Sequence, residues 1–439
     1  MEEYSKYKDS GVKWIGDVPA HWRITSFNRN FTYGKGLPIT KADLLPEGIA
    51  VISYGQIHSK CNTGTSITDE LVCRVSPSYL ESNPQSLLRQ NDFVFADTSE
   101  DIEGSGNCAF NDYREAIFAG YHTVIARPIN LAMPKYYAYL FRSSQWRSSI
   151  QTLVNGVKVY SISKGILKRS FLLSPPLAEQ RAIVSYLDGK VGQIDTYVAK
   201  QTQQIELLKE LKQAVIANAV TKGIDKKTKL KQTGISWIGS VPQHWERCRC
   251  KDVLTETKLL VGNGKHTLLS LTTNGVIVRD LSEGKGKFPK DFNTYKVVKP
   301  NDLVFCLFDV DETPRTVGLV HNHGMLTGAY NVFEAINVDT SFLYHYFIAL
   351  DNRKALKSLY KGLRKVIPLP AFMSMPLYLP PLSEQRAIVS YIEAQTANID
   401  KLIDAYQQQV ERIKEYKQRL ISDAVTGKMN VTGKQTQTN

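Results

Sequence analysis

The chain has no long apolar run: nothing in it nears the roughly 18 consecutive apolar residues of a membrane-crossing helix. Its start, MEEYSKYKDS, is polar and lacks the apolar stretch of a secretory leader. Cysteine is scarce, with 6 in 439 residues and no regular spacing, which argues against a disulfide framework and fits a reducing cytoplasm. Acidic residues are in deficit, 42 against 55 Lys and Arg, so the net charge is +13. A basic balance favours polyanionic partners through counterion release, but says nothing about sequence reading. Catalytic signatures are missing too. A P-loop would need GxxxxGK[ST], and Gly262-Asn-Gly-Lys-His has the wrong spacing. The Pro-Pro pairs at 175–176 and 380–381 are followed by Leu, not by the Tyr or Phe of an adenine-methylating Asn/Asp-Pro-Pro motif. With 42% apolar residues and a mean hydropathy of −0.25, the composition is that of a globular protein of two or three domains.

What is present is a duplication. Residues 175–186, PPLAEQRAIVSY, recur as 380–391, PPLSEQRAIVSY, with eleven of twelve positions identical at an offset of 205. Upstream, Trp14-Ile-Gly-Asp-Val-Pro-Ala-His-Trp22 recurs as Trp237-Ile-Gly-Ser-Val-Pro-Gln-His-Trp245 at an offset of 223. The stretches between the matched segments, 23–174 and 246–379, differ by the 18 residues that separate the offsets. Only faint echoes survive inside them. Asn91-Asp-Phe-Val-Phe95 resembles Asn301-Asp-Leu-Val-Phe305, and Ala119-Gly-Tyr121 resembles Thr327-Gly-Ala-Tyr330. A repeat that keeps its connectors and rewrites its modules reads as one framework presenting two different surfaces.

Both variable stretches read as mixed α/β. Runs such as Ile49–Ser53 and Leu303–Phe308 look like strands, interrupted by glycine-rich pieces at 33–36, 103–107 and 262–265. Apolar residues at helical spacing predict a helical stretch over Tyr136–Leu153 and another over Phe342–Tyr360.

After each Pro-Pro the period becomes 3.5. The seam runs through Ile183, Leu187, Val191, Ile194, Val198, Gln201, Ile205, Leu208, Lys212 and Val215. In the second copy it is Ile388, Ile392, Thr396, Ile399, Ile403, Tyr406, Val410, Ile413, Lys417 and Leu420. Proline suits each helix start, and Gly223 and Gly427 suit the ends, giving helices of about 40 residues and about 60 Å. One such helix cannot bury its stripe alone, whereas two antiparallel copies bury each other. The alternative is two separate amphipathic helices, each packed on its own domain. Polar seam residues Gln201, Lys212 and Lys417 would fix the register. The expected fold class is therefore α+β: two α/β domains, two long antiparallel helices and a pseudo-two-fold internal repeat.

Other clusters have plain explanations. His244, Cys248 and Cys250 hint at a metal, but zinc wants four ligands at regular spacing and the first copy has only His21, so a structural histidine beside each tryptophan is the simpler reading. Asp252, Glu256 and Lys258 are a fragment of a nuclease site, or a solvated helix face. His321 and His323 fall in a loop, as surface residues or contacts.

The twin Pro-Pro-Leu-x-Glu-Gln helix starts, the Trp-Ile-Gly-x-Val-Pro-x-His-Trp elements and the two divergent domains together resemble the specificity subunit of type I restriction-modification systems. The resemblance implies an N-terminal arm at 1–25 and a target recognition domain at 26–174. A central spacer helix at 175–223 and a repeated arm at 224–245 would follow. A second recognition domain at 246–379, a C-terminal spacer helix at 380–427 and a disordered tail at 428–439 complete it. Each recognition domain would read one half of a split duplex DNA target, the helices would set the gap, and the arm near Trp14 would pack near the far helix. The chain itself would be non-catalytic and bind no cofactor. Two methyltransferase subunits would use S-adenosylmethionine, and restriction subunits would use ATP and Mg.

DNA contacts call for basic and amide side chains on loops and helix starts. The first domain offers Lys35, Tyr54, Gln56, His58, Lys60, Asp97, Thr98, Ser99, Lys158, Tyr160, Ser161, Ser163 and Lys164. The second offers Lys265, Lys285, Lys287, Arg315, Lys361, Arg364 and Lys365. The stretches 157–164 and 364–370 occupy equivalent places before each Pro-Pro. Any single lysine here also reads as an ordinary solvated side chain. Two like partners need two like surfaces, so Glu179, Gln180, Arg181 and Tyr186, with Glu384, Gln385, Arg386 and Tyr391, are the candidate methyltransferase dock. Helix capping and packing on the arm is their alternative role. A self-contained nuclease or methyltransferase, and a coiled-coil scaffold that never touches DNA, remain the competing functions.

Overall fold

A computed structural model describes residues 3–129, 131–154, 159–262, 266–279, 292–360 and 365–432. The chain divides into two compact units, Met1–Lys200 with Gln408–Asn439, and Gln201–Gln407. The division cuts both long helices, Leu177–Lys222 and Leu382–Val425.

The two units are built to one plan. Each opens with a hairpin arm: Tyr7–Asp9 pairs with Asp17–Pro19 in unit 1, and Leu230–Gln232 with Ser240–Pro242 in unit 2. The next strand zips onto the one that leads into Pro-Pro. Arg23–Ser26 lies antiparallel to Phe171–Ser174, and Glu246–Arg249 to Pro376–Leu379. Between them lies a four-stranded antiparallel sheet. In spatial order it is Phe31–Lys35, Thr123–Pro128, Phe93–Ala96 and Cys108–Phe110. In unit 2 it is Leu254–Thr257, Asn331–Ala335, Leu303–Phe305 and Val317–Leu319. One central strand of each sheet, Phe93–Ala96 and Leu303–Phe305, is apolar and buried on both faces, as a covered sheet requires.

The sequence echoes mark points where backbone geometry leaves little choice. Asn91 and Asn301 sit at φ 70° and 71°, a left-handed conformation that asparagine tolerates. Asp92 and Asp302 then accept the amides of Arg89 and Lys299. A Cβ at Gly120 would stand 2.0 Å from Ser53 Oγ, and one at Gly328 2.1 Å from the Thr294 carbonyl, so both glycines permit a close crossing.

The expected helical stretch at 136–153 is two helices, Pro134–Arg142 and Ser144–Gln151. Ser143 is extended between them (ψ 141°), and its hydroxyl accepts Trp146 N–H, capping the second. The stretch at 342–360 likewise stops at Asn352. Lys354 turns left-handed (φ 49°) before a 3₁₀ segment, Ala355–Leu359. Apolar spacing cannot reveal either break.

The long helices run 46 and 44 residues, about 69 and 66 Å at 1.5 Å per residue. Every one of the 20 seam positions is buried or half-buried. Within unit 1, Asp195 meets Lys417 and Tyr197 meets Gln409, so the helices pass in opposite directions. Within unit 2, Ile205 clusters with Ile399 and Ile403. Gly223 (φ 71°) and Gly427 (φ 75°) follow the two ends.

Candidate nucleic-acid interface and helix junctions

Each unit has a clasp where arm, helix start and far helix end meet. Trp22 and Trp245 are fully buried, and a buried indole N–H needs an acceptor. Glu179 supplies it for Trp22 at 2.9 Å, while also accepting from Tyr4 OH (3.1 Å) and meeting His21 Nε2 (2.5 Å). Glu384 does the same for Trp245 (3.1 Å) and His244 (2.7 Å). Burial, then Glu179, push the Tyr4 phenol well above its ordinary range. The far helix end completes each clasp. Tyr7 OH donates to the Gly427 carbonyl (3.2 Å), and a Cβ on Gly427 would stand 2.4 Å from Pro19. Gly223 lies against Pro242 and Trp245 in the same way.

These contacts correct part of the expected dock. Gln180 is 8% exposed and donates to the Pro175 carbonyl; Gln385 is 3% exposed, donates to the Pro380 carbonyl and accepts Asp339 N–H. Neither offers surface to a partner, and Glu179 and Glu384 spend their oxygens inside the chain. Arg181, Arg386 and Tyr391 stay exposed, and Tyr186 is half-buried.

The polar seam residues form a matched pair of ion pairs. Lys212 reaches Asp400 at 2.7 Å in unit 2, and its counterpart Lys417 reaches Asp195 at 2.6 Å in unit 1. Gln201 is half-buried, with a side-chain oxygen left without a partner.

In unit 1 the fold gathers candidates from three segments. Tyr160–Ser161 pairs with Thr98–Ser99, and Ile162 N–H donates to the Asp97 carbonyl (2.8 Å). His58 Nε2 donates to the Thr98 carbonyl (2.8 Å), and Tyr54 and His58 line a cleft of about 410 Å³ with Ser99 and Asn107. Ser163 caps the Lys164–Arg169 helix. Lys35 ends a sheet strand with its side chain exposed, and Lys60 is exposed beyond the Tyr54–Ile57 helix. Gln56 is spent locally: it accepts Ser53 N–H and donates to Cys73 Sγ, so it is a capping residue. Lys158 lies outside the described residues.

In unit 2, Lys265, Lys285, Lys287, Lys361 and Arg364 lie outside the described residues. Arg315 is taken: it bonds Asp351 (3.1 Å) and Asn352 (3.0 Å), and Asp351 is 1% exposed at its side chain. A guanidinium neutralising a buried carboxylate is not free for a phosphate. Lys365 is exposed but pairs with Asp311 (3.5 Å) and Glu312. The equivalence of the two pre-Pro-Pro stretches has a backbone counterpart: Ile367 N–H donates to the Leu307 carbonyl (2.7 Å), as Ile162 does to Asp97. Sequence reasoning missed Tyr121 and His122, which pack on Tyr54 at 5.6 and 5.4 Å. Their one sequence signal is the retained Gly120.

The metal and nuclease fragments have other employment. Asp252 caps Arg249 in a short helix, and Glu256 lies on a strand, where it accepts from Asn331, so the pair is not one helix face. Burial pushes the Cys248 thiol up to about 11 and Cys250 higher. Among the described residues, no three His, Cys, Asp or Glu side chains are placed to hold a metal ion. His321 and His323 are exposed in a loop. No helix of the described residues is long and apolar enough to cross a membrane.

Two α/β domains clasped to a pair of long helices define a class of two-domain, two-helix proteins. The family model "Type I restriction modification DNA specificity domain" matches residues 318–412. The putative type I restriction enzyme MjaX specificity subunit of Methanocaldococcus jannaschii is 24% identical, over 97% of this chain and 98% of that one. The EcoKI specificity subunit of Escherichia coli K12 is 23% identical over 94% of this chain and 90% of that one. A chain solved in work on complex assembly and conformational transition of the type I R-M system shares the fold, with a TM-score of 0.68 over 94% of this chain and 99% of that one at 15% identity. Over nearly its whole length the chain is thus similar to specificity subunits of type I restriction enzymes.

Proposed function

We propose that the chain is the non-catalytic DNA-recognition subunit of a type I restriction-modification complex, each unit reading one half of an asymmetric, split duplex target. The observation that carries this is the duplicated framework. The clasp, the sheet order and the seam ion pair recur, while the surfaces around 97–99 and 307–309 differ. Two unlike readers fit an asymmetric target that a homodimer could not match. A helix of about 69 Å is comparable to two turns of B-DNA, roughly 34 Å each, so the helices are suited to hold the gap constant. The excess of Lys and Arg supplies sequence-independent attraction to phosphate. Arg181, Tyr186, Arg386 and Tyr391, in equivalent places beside the two clasps, are the surfaces for two copies of a methyltransferase subunit. In this reading the partners supply adenine methylation with S-adenosylmethionine, and ATP-driven restriction with Mg.

Co-expression with the methyltransferase subunit, followed by single-molecule mapping of methylated adenines, tests the reading. A split motif with a fixed gap and one methylated adenine per half supports it. Methylation of one half only, or a variable gap, removes the spacer role. A stable complex without methylation removes DNA reading and leaves the scaffold.

A further inference from the structure

We propose that Gly120-Tyr121-His122 is a base-reading turn of unit 1, and that His122 sets the identity of one base in the half-site read there. The inference rests on the DNA-reading function above and names a residue through which it acts.

His122 has φ 54°, the left-handed region that few residues other than Gly occupy, Asn, Asp and His more than the rest. A strained backbone of this kind persists only where its surroundings impose it, and such positions cluster at binding sites. Here the surroundings are explicit. Asp97 N–H donates to the His122 carbonyl (3.0 Å), Gly120 N–H to the Ile52 carbonyl (2.7 Å), and Thr123 Oγ1 to the Gly120 carbonyl (2.6 Å). The imidazole is orientated as well. Tyr54 lies 5.4 Å from it and Tyr121 6.1 Å, both edge-on. Its Nδ1 is 3.3 Å from Asp97 Oδ1, which also accepts the Thr98 hydroxyl. A carboxylate only accepts, so Nδ1 carries the proton and, in the neutral ring, Nε2 is an acceptor. The side chain is 58% exposed, so this acceptor is offered to solvent. A fixed, outward acceptor matches the exocyclic amino group of adenine or cytosine at a major-groove edge.

The corresponding turn in unit 2 differs at this position. Gly328-Ala329-Tyr330 crosses as closely, but the sheet register, Val124 opposite Phe95 and Asn331 opposite Phe305, puts Ala329 where His122 stands, and Tyr330 stacks on Phe308 (6.3 Å, 20° between planes). Phe308 follows its central strand as Thr98 follows the other. At one register position the turn therefore carries a hydrogen-bonding ring in the first copy and an exposed alanine methyl, suited to a thymine methyl, in the second. Two readers of different sequence should differ at just such a point.

The test compares methylation maps from cells producing the full chain, wild-type or His122→Asn, with its methyltransferase subunit. Asparagine tolerates the left-handed backbone and removes the ring. His122→Gly, free of strain at that φ, replaces it if melting is lowered. One position in one half-site is expected to relax, with discrimination there falling roughly tenfold, while the other half and the gap stay fixed. An unchanged motif would overturn the proposal. So would uniform loss of methylation at an unchanged melting temperature, because a contact that only adds affinity carries no sequence. A wild-type map with no split motif would instead defeat the DNA-reading function itself.

Discussion

Unit 1 and unit 2 agree at the clasp and part company beneath it. Glu179 serves three donors, Tyr4, His21 and Trp22; Glu384 serves two, His244 and Trp245. The arm residue Tyr4 has Lys227 at its counterpart position. Buried Asp92 has the Arg127 guanidinium at 3.0 Å, whereas its counterpart Asp302 keeps a buried oxygen without a partner. The first long helix carries Gly189 and Gly192 where the second has Ala394 and Ala397. The duplicated junction has thus been held to one geometry, while each domain has settled its buried charges separately.

The comparison can be broken at the clasp, where the largest effect is expected. Glu179→Ala strands a buried indole N–H and two further donors and should cost unit 1 about 3 kcal/mol; Glu384→Ala should cost unit 2 about 2 kcal/mol. Urea unfolding followed by the buried tryptophans measures both, and an equal or reversed order would mean that Tyr4 adds nothing.

A smaller and opposite pair of effects separates Asp92 from Asp302. Burial raises both carboxyls above their ordinary value. A raised carboxyl binds more protons folded than unfolded, so its contribution to stability falls as pH rises through that window and stays low at neutrality. Asp302→Asn removes an unpaired buried charge and should stabilise by about 1 kcal/mol at pH 7, a gain that shrinks as pH falls through the raised folded value and is gone by about pH 4. Asp92→Asn leaves Arg127 without its partner and should destabilise by about 1–2 kcal/mol. Thermal melts at the two pH values decide it, and destabilisation by Asp302→Asn would show that its carboxylate is paired in solution.

The smallest effect lies in the helix. A Cβ at Gly189 or Gly192 meets nothing within 4 Å. Alanine at either should raise stability by about 0.5–1 kcal/mol, bringing the first helix level with the second. A loss on melting would mean that these positions are covered by something outside the chain.

Much of this frame was legible in the sequence because its signals are local or periodic. The seam from Ile183 to Val215, the terminal glycines and the Asn-Asp turns each declare themselves within a few residues. The site was less legible because its chemistry is made at a distance. Trp22 meets Glu179 across 157 residues, and Arg315 meets Asp351 across 36, so nothing near either residue announces that its charge or hydrogen bond is already spent. His122 was missed for the same reason: it becomes conspicuous only once Tyr54 and Asp97 are folded beside it.

The far helix end also sets an order of events during synthesis. Unit 2 is one continuous stretch, Gln201–Gln407, whereas unit 1 needs Gln408–Asn439, with Leu420, Ile421, Ala424 and Val425 buried in its core. At about 5–20 residues per second, the ribosome takes roughly 10–40 seconds to make the intervening stretch. The first domain to emerge is therefore the last to be closed. A nascent chain must keep the seat of that closing helix uncovered while the second unit completes itself, which makes premature termination near the C-terminus a lesion of unit 1.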